Sequence, residues 1–312
     1  MNRKKIILFV SAAIPILLVL FFLSFPERQK KKDDKLKVAA SIFPIYNITR
    51  QIAGDKVEVV QILPNNQSEH TYSPTIRDKE RVMGSDVALL IGLGIDDWCI
   101  DLLDDDTLTY TLYKDINLIA AEELAIEEEG VIEDDHEEYE IADPHYWMSI
   151  QNGIIITDNI KNILSEMDPD NSDYYETQAN QYKAQLAVVY DKYQQSLHEL
   201  EKRELVTFHE AFNYLARELG LNVVATIEPF AGKEPSLAYI QKVGKIIEEY
   251  DIRVLYKEPQ LSDVSLEPLK NAYDVEIRTL DPLGGVEDRD SFIKLLEYNI
   301  NIIFEDLNEN SN

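Results

Sequence analysis

A chain of 312 residues with 45% hydrophobic side chains is long enough for two medium-sized domains with real cores. Its 58 acidic residues against 30 basic ones give a formal net charge of −28, which excludes nucleic-acid binding, repels anionic lipid and attracts cations. The single cysteine, Cys99, excludes a disulfide framework and a CxxC metal knuckle.

Arg3, Lys4 and Lys5 precede 18 apolar or small residues, Ile6 to Leu23, interrupted by Pro15. Residues 1–25 therefore read as a signal peptide or N-terminal membrane anchor. Leu23-Ser24-Phe25 is a poor cleavage site, which favours an uncleaved anchor. The Lys-rich stretch that follows, 26–36, reads as a polar tether, with the rest of the chain extracytoplasmic. Eight of the 30 Lys/Arg but three of the 58 Asp/Glu fall in residues 1–36, so 22 basic and 55 acidic side chains remain beyond it, a net of −33.

From Lys37 the pattern becomes strand, helix, strand. Val38–Ile42 is predicted as a strand, Tyr46–Ala53 as a helix stopped by Gly54, and Val57–Leu63 as a second strand. Thr75 is placed to cap a helix running to Met83, and Val87–Gly92 is a buried strand. The same order recurs: strand Leu205–Phe208, helix Ala211–Leu219 stopped by Gly220, strand Asn222–Ile227, a helix capped by Ser236, and strand Arg253–Tyr256. Phe43 in the first unit falls where His209 stands in the second. The reading is an α/β fold of two similar lobes with mainly parallel sheets, 37–168 and 204–312.

Between them, Asn171 to Arg203 lacks Gly and Pro and carries Tyr174, Tyr182, Leu186, Tyr190, Tyr193 and Leu197 at near-helical spacing. It is predicted as one linking helix within 169–203, of about 30 residues and, at ~1.5 Å each, roughly 45 Å long. Such a stiff link favours small rocking of the lobes over large closure. Glu122 to Glu140 is acidic and poor in apolar residues, and reads as a surface loop.

Three of the five histidines and one aspartate sit in turn-rich phrases at or near the ends of apolar runs. These are Ser68-Glu69-His70-Thr71-Tyr72, Asp143-Pro144-His145-Tyr146-Trp147, Thr207-Phe208-His209-Glu210-Ala211 and Leu280-Asp281-Pro282-Leu283-Gly284-Gly285. In open α/β sheets the carboxyl ends of strands receive ligands, so one interlobe cleft can collect His70, His145, His209 and Asp281. Three imidazoles and one carboxylate make a closed tetrahedral set suited to Zn2+, and a filled shell favours holding metal over catalysis. Glu69 and Glu210 are candidates for acceptors of imidazole N–H or for alternative oxygen ligands. Glu228 and Glu258 read as structural or cleft residues. His136 and His198 read as ordinary surface residues, and Cys99 as a packing residue. The Gly-x-Gly at Gly92–Gly94 lacks the third glycine of a dinucleotide fingerprint.

These phrases, with Ile227-Glu228-Pro229 and Glu258-Pro259-Gln260, resemble the solute-binding proteins of zinc and manganese ABC transporters, the cluster 9 metal-binding proteins. The likeness covers residues 37 to about 305. It implies two α/β lobes joined by a backbone helix with the metal between them, and delivery of that metal to an ABC transporter permease in the membrane. By position, His70, His145 and His209 match the family's three metal-binding histidines, and Asp281 its C-terminal carboxylate. Manganese-binding members typically carry a carboxylate where this chain has His209, so Zn2+ is expected over Mn2+. Two departures stand out: the acidic segment Glu122–Glu140 replaces a His-rich loop, and no lipid-anchoring cysteine follows the apolar run. The expectation is a monomeric, non-enzymatic metal-binding protein. Its competitors are a manganese-binding member, a zinc hydrolase using Glu210 as base, and a surface adhesin on the same scaffold.

Overall fold

Strand alternation in each half divides its side chains between two cores. In the computed structural model, which describes residues 35–120, 142–196 and 200–309, the first sheet contains β1 (Leu36–Ala40), β2 (Val57–Gln61), β3 (Val87–Leu90) and β4 (Leu108–Thr111). The strands run in the order β2-β1-β3-β4, and every pairing is parallel. Val38, Ala40, Val87 and Leu89 enter the principal core, while Ala39, Ala88 and Leu90 face a second one with Ile62, Val82 and Cys99. A sheet buried on both faces needs apolar residues at successive positions, and this is why these strands read as runs.

The second half repeats the plan with β5 (Glu204–Thr207), β6 (Asn222–Thr226), β7 (Val254–Lys257) and β8 (Glu276–Thr279), paired as parallel ribbons β5-β6 and β7-β8. The ribbons adjoin through β5 and β7. Taken as one layer the order is β6-β5-β7-β8, the first sheet's order repeated, as the duplicated pattern predicts. Leu205 and Tyr256 join the principal core, whereas Val206, Phe208, Ala225 and Leu255 face a separate one.

The helices are α1 (Phe43–Ala53), α2 (Ile76–Val82), α3 (Ile150–Met167), α4 (Ser172–Ser196), α5 (Asn213–Leu219), α6 (Leu237–Glu249), α7 (Glu267–Ala272) and α8 (Phe292–Glu309). Thr75 and Ser236 cap α2 and α6 as expected: Thr75 N–H and Oγ1 both donate to Asp78 Oδ2 at 2.7 Å, and Ser236 Oγ accepts from Tyr239 N–H at 3.2 Å. Gly220 ends α5 in the left-handed region (φ 63°), where a Cβ would be strained.

The linking helix is shorter than predicted. Among the described residues α4 has 25, about 38 Å at ~1.5 Å per residue, and it follows a 3-10 turn at Pro169–Asn171. Arg203 cannot be helical, because β5 starts at Glu204 and the chain must turn before it; residues 197–199 lie outside the described residues. α4 packs along α3 and α1, and its end meets α8 through Tyr193 Oη, which donates to Asn301 Oδ1 at 2.8 Å. α3, α7, β4 and α8 went unrecognised in the sequence. α8 ties the halves together: Phe292 N–H donates to Asn47 Oδ1 on α1 at 3.0 Å, and its ring lies against Gly153 of α3.

Among the described residues no helix is long and apolar enough to cross a membrane. The anchor and tether expected in 1–36 lie outside the described residues except for Lys35 and Leu36. The acidic segment Glu122–Glu140, His136 and His198 also lie outside them. Cys99 is buried as expected, with burial pushing its thiol pKa up.

Candidate metal centre

Each histidine-bearing phrase is fixed by its own set of partners. The His70 loop is pinned by Trp98, whose Nε1–H donates to the Glu69 carbonyl at 3.1 Å, and by Tyr72, whose hydroxyl donates to Asp78 Oδ2 at 2.7 Å. His145 is fixed by Asp143, which accepts from the His145 backbone N–H at 2.9 Å and lies 2.8 Å from its Nδ1. Asp143 is clamped from the second half, where Tyr214 Oη donates to its carbonyl at 2.7 Å and Asn213 Nδ2 to its Oδ2 at 3.2 Å. His209 leaves the carboxyl end of β5 and sets Nδ1 at 2.7 Å from Glu258 Oε1, which stands just past β7.

The three rings converge. His145 Nε2 lies 3.1 Å from His70 Nε2 and 3.2 Å from His209 Nε2, and one ligand nitrogen from each ring falls within 4.8 Å of the others. Nitrogens bound at ~2.1 Å to one tetrahedral ion stand about 3.4 Å apart, so the spacing fits a shared metal. Carboxylates only accept, so Asp143 and Glu258 require Nδ1–H on His145 and His209 and leave both Nε2 atoms as donors to a metal.

Burial drives the His145 pKa down to about 4 against the opposing pull of Asp143. Burial also disfavours charge on His209, but Glu258, Glu69 and Glu210 outweigh it and raise the pKa to about 9. In the metal-free protein a proton on His209 thus occupies the lone pair that a metal would use. Burial raises the Glu69 pKa, and burial with neighbouring Asp143 raises that of Glu210 to about 8.

The four residues predicted as ligands are not all gathered in the same way. Neither Asp281 nor Glu69 belongs to the group formed by the three histidines. Its Oδ1 accepts from Gln260 Nε2 at 2.7 Å and from the Leu283 and Gly284 N–H groups at 3.0 Å, while Oδ2 faces Arg289 Nε at 3.1 Å. Glu69 Oε1 is buried, has no hydrogen-bond partner, and lies 3.9 Å from His70 Nε2.

Asp143 and Glu258 face the imidazole Nδ1 atoms; Glu69 and Glu210, candidates for that role or for alternative oxygen ligands, do not. Glu210 lies beside Asp143 without an imidazole bond among the described contacts. Glu258, read as a structural or cleft residue, holds His209 directly. Asp143 stands two residues before His145, the spacing that lets one carboxylate face both the backbone and ring N–H. Glu228 does serve the structure: Ser265 Oγ donates to it at 2.6 Å and Gly232 N–H at 3.1 Å.

A family profile described as ZnuA, zinc-uptake complex component A, periplasmic, matches residues 38–305. The chain is 28% identical over 288 residues to the high-affinity zinc uptake system protein ZnuA of Bacillus subtilis, covering 88% of this chain and 89% of that protein. It is also 28% identical over 309 residues to the zinc-binding lipoprotein AdcA of Streptococcus pneumoniae, covering 95% of this chain and 60% of that protein. The chain therefore spans less than two thirds of the AdcA relative's length. A crystal structure of ZnuA matches with a TM-score of 0.76 at 25% identity, covering 88% of this chain and 100% of that one. The α/β architecture with parallel sheets and a long helix is the fold those structures share, and the chain belongs to the ZnuA family.

Proposed function

We propose that this protein is the extracytoplasmic zinc-binding component of an ABC importer, capturing Zn2+ at His70, His145 and His209 and delivering it to a membrane permease. The observation that carries the reading is the convergence of three Nε2 atoms at 3.1 and 3.2 Å, two of them on rings whose Nδ1 faces a carboxylate. Lone pairs aimed at one another across that distance repel unless a cation lies between them. Three nitrogens and one oxygen suit zinc better than manganese, which prefers oxygen-rich, higher-coordinate sites. The relatives named for zinc uptake and zinc binding support the same choice.

The fourth donor is a carboxylate. Asp281 is the family's counterpart by position, but its oxygens are already engaged, whereas Glu69 Oε1 is buried and unbonded. We assign the position to Glu69 and give Asp281 a supporting place beside it. A shell filled by four protein ligands leaves no site for an attacking water, so the protein is a carrier and not a hydrolase. Its lobes are 37–168 and 204–312 with the linking helix between them, it works as a monomer, and residues 1–25 tether or export it. The periplasmic family description and the lipoprotein relative support that setting.

The test is metal stoichiometry and chelator-competition affinity of the purified protein beside His209→Ala. One zinc per chain, bound much more weakly by the variant, is the expected result. Zinc binding untouched by the substitution, or no stoichiometric metal, overturns the reading.

A further inference from the structure

We propose that Ile76 and Leu237 are a matched pair of apolar anchors that seat the protein in two like pockets of its permease; the inference rests on the importer reading above. The two residues stand in a repeated phrase. Pro74-Thr75-Ile76 opens α2 in the first half and Pro235-Ser236-Leu237 opens α6 in the second. Each phrase is a proline, a hydroxyl cap and an aliphatic residue. Both aliphatic residues meet solvent, Ile76 at 80% exposure and Leu237 at 71%.

Neither helix needs its anchor. α2 buries Asp78 and Val82, and α6 buries Tyr239, Ile240, Val243 and Ile247, so each buried face begins beyond the aliphatic residue. An exposed aliphatic group leaves apolar surface in water with no gain inside the chain. Single cases are ordinary, and Met83 and Val188 are of that kind. The same exposure at the same place in both halves is not scatter.

Their position ties them to the metal centre. In parallel β-α units the segments leaving the carboxyl ends of the strands share one side of the sheet. The loop from β2 to α2 carries His70 and ends at Ile76, and the loop from β6 to α6 carries Glu228 and ends at Leu237. The two loops touch: a Cβ on Gly232 would stand 2.5 Å from Cγ2 of Thr71. Thr71 is five residues before Ile76, and Gly232 five before Leu237, so each anchor lies within ~18 Å of that contact. Val264, 59% exposed, opens the 3-10 turn after the Glu258 loop and widens the apolar surface of the second half.

Negative charge is locally relieved around both anchors. Beyond residue 36 the chain carries 55 acidic and 22 basic side chains. Yet the exposed charges within five residues of Ile76 are Arg77, Lys79 and Glu80, and those within five of Leu237 are Lys233, Glu234 and Lys242. Each set has two basic residues and one acidic. A partner that seats the anchors therefore offers an apolar pocket with a neutral or acidic rim, and offers it twice, because the halves are duplicates. A pair of like permease subunits meets that requirement. A second copy of this chain would set its own basic rims against these.

The experiment measures radioactive zinc uptake by cells of the source strain whose own gene is replaced by wild type, Ile76→Ser, Leu237→Ser, the double variant, or the controls Met83→Ser and Val188→Ser. The zinc dissociation constant of each purified full chain is measured beside it. Each anchor substitution should cut uptake at subsaturating zinc ~10-fold and the double ~100-fold, with zinc affinity within about twofold of wild type and the controls unchanged. A photo-crosslinking side chain in place of Ile76 or of Leu237 should join each position to a permease subunit, identified by mass spectrometry. Wild-type uptake by the double variant overturns the proposal, as does a loss confined to one anchor, since a matched pair fails at both. Weakened zinc binding in either variant overturns it by placing that residue in the metal centre. Where a variant fails to fold, the cross-links decide: attachment to a second copy of this chain, or to no membrane protein, overturns it. In all these cases wild type still binds one zinc and the importer reading stands. Wild type that neither binds stoichiometric zinc nor supports uptake removes both readings.

Discussion

His145 and His209 face each other with Nε2 atoms 3.2 Å apart while each turns Nδ1 onto a carboxylate, Asp143 at 2.8 Å and Glu258 at 2.7 Å. The two halves of the chain thus supply matched His–carboxylate pairs aimed at one point. With Nδ1–H fixed outward on both rings, only a proton or a metal ion between the Nε2 atoms relieves their repulsion. Burial disfavours a charge there, but Glu258 and its acidic neighbours place the proton on His209, whose pKa rises to about 9.

Zinc must displace that proton. Between pH 6.5 and 9 each zinc bound should release about one proton from His209, and affinity should fall roughly tenfold per unit as pH drops across that window. Calorimetry in buffers of different ionisation enthalpy reads the number directly; a value near zero means that His209 is neutral before metal arrives. The sign for folding is opposite. A pKa raised above the unfolded value stabilises the metal-free protein fully below about 6.5, and that contribution is lost as pH rises through about 9. The metal-free melting temperature should show this loss, and the zinc-loaded one should not.

Asp143→Asn and Glu258→Gln remove the charge that fixes the imidazoles without removing a ligand. Each should weaken zinc ~10–100-fold while keeping one site per chain. Equilibrium competition with a chromophoric chelator separates the two effects. A drop in stoichiometry in either variant would identify that carboxylate as a ligand in its own right.

Glu69 Oε1 is the buried carboxylate oxygen left without a hydrogen bond beside His70. Glu69→Gln should therefore cost more zinc affinity than the ~10–100-fold expected of the orienting carboxylates. Zinc affinity equal to wild type in Glu69→Gln would return the fourth position to another donor.

Gly153 on α3 is a packing position. A Cβ there would stand 2.7 Å from Cε1 and 3.2 Å from Cζ of the fully buried Phe292. Alanine has the better helix propensity by up to ~1 kcal/mol, but forcing a methyl into a closed core costs ~1–3 kcal/mol. Gly153→Ala should lower the denaturant midpoint with little change in zinc stoichiometry. A raised midpoint would show that α8 can move away from α3.

Much of the scaffold was legible because strands such as β1, β3 and β5 are largely buried on both faces and two helices start at recognisable caps. Thr75 and Ser236 announced α2 and α6, and Gly54 and Gly220 marked where α1 and α5 stop. α8 escaped notice although its apolar residues repeat at helical spacing, because the β-α repeat was followed no further than the Leu280-Asp281 phrase. The overlong linking helix had a similar cause: nothing between Asn171 and Arg203 breaks a helix, and the stop comes from the need to enter β5.

By itself the sequence determined the ligand chemistry. Three histidines in turn-rich phrases near strand ends, in an acidic chain with one cysteine, already point to a divalent cation held by nitrogen and oxygen. Which carboxylate does what was decided only by tertiary structure. Glu258 is 49 residues from His209, and Arg289 reaches Asp281 by a turn through two glycines. Glu69, adjacent to a ligand, and Asp281, in a family phrase, look equally able to bind metal when written as letters. They differ in the donors that folding brings to each oxygen: those of Asp281 are hydrogen-bonded and ion-paired, whereas Glu69 Oε1 has no hydrogen-bond partner.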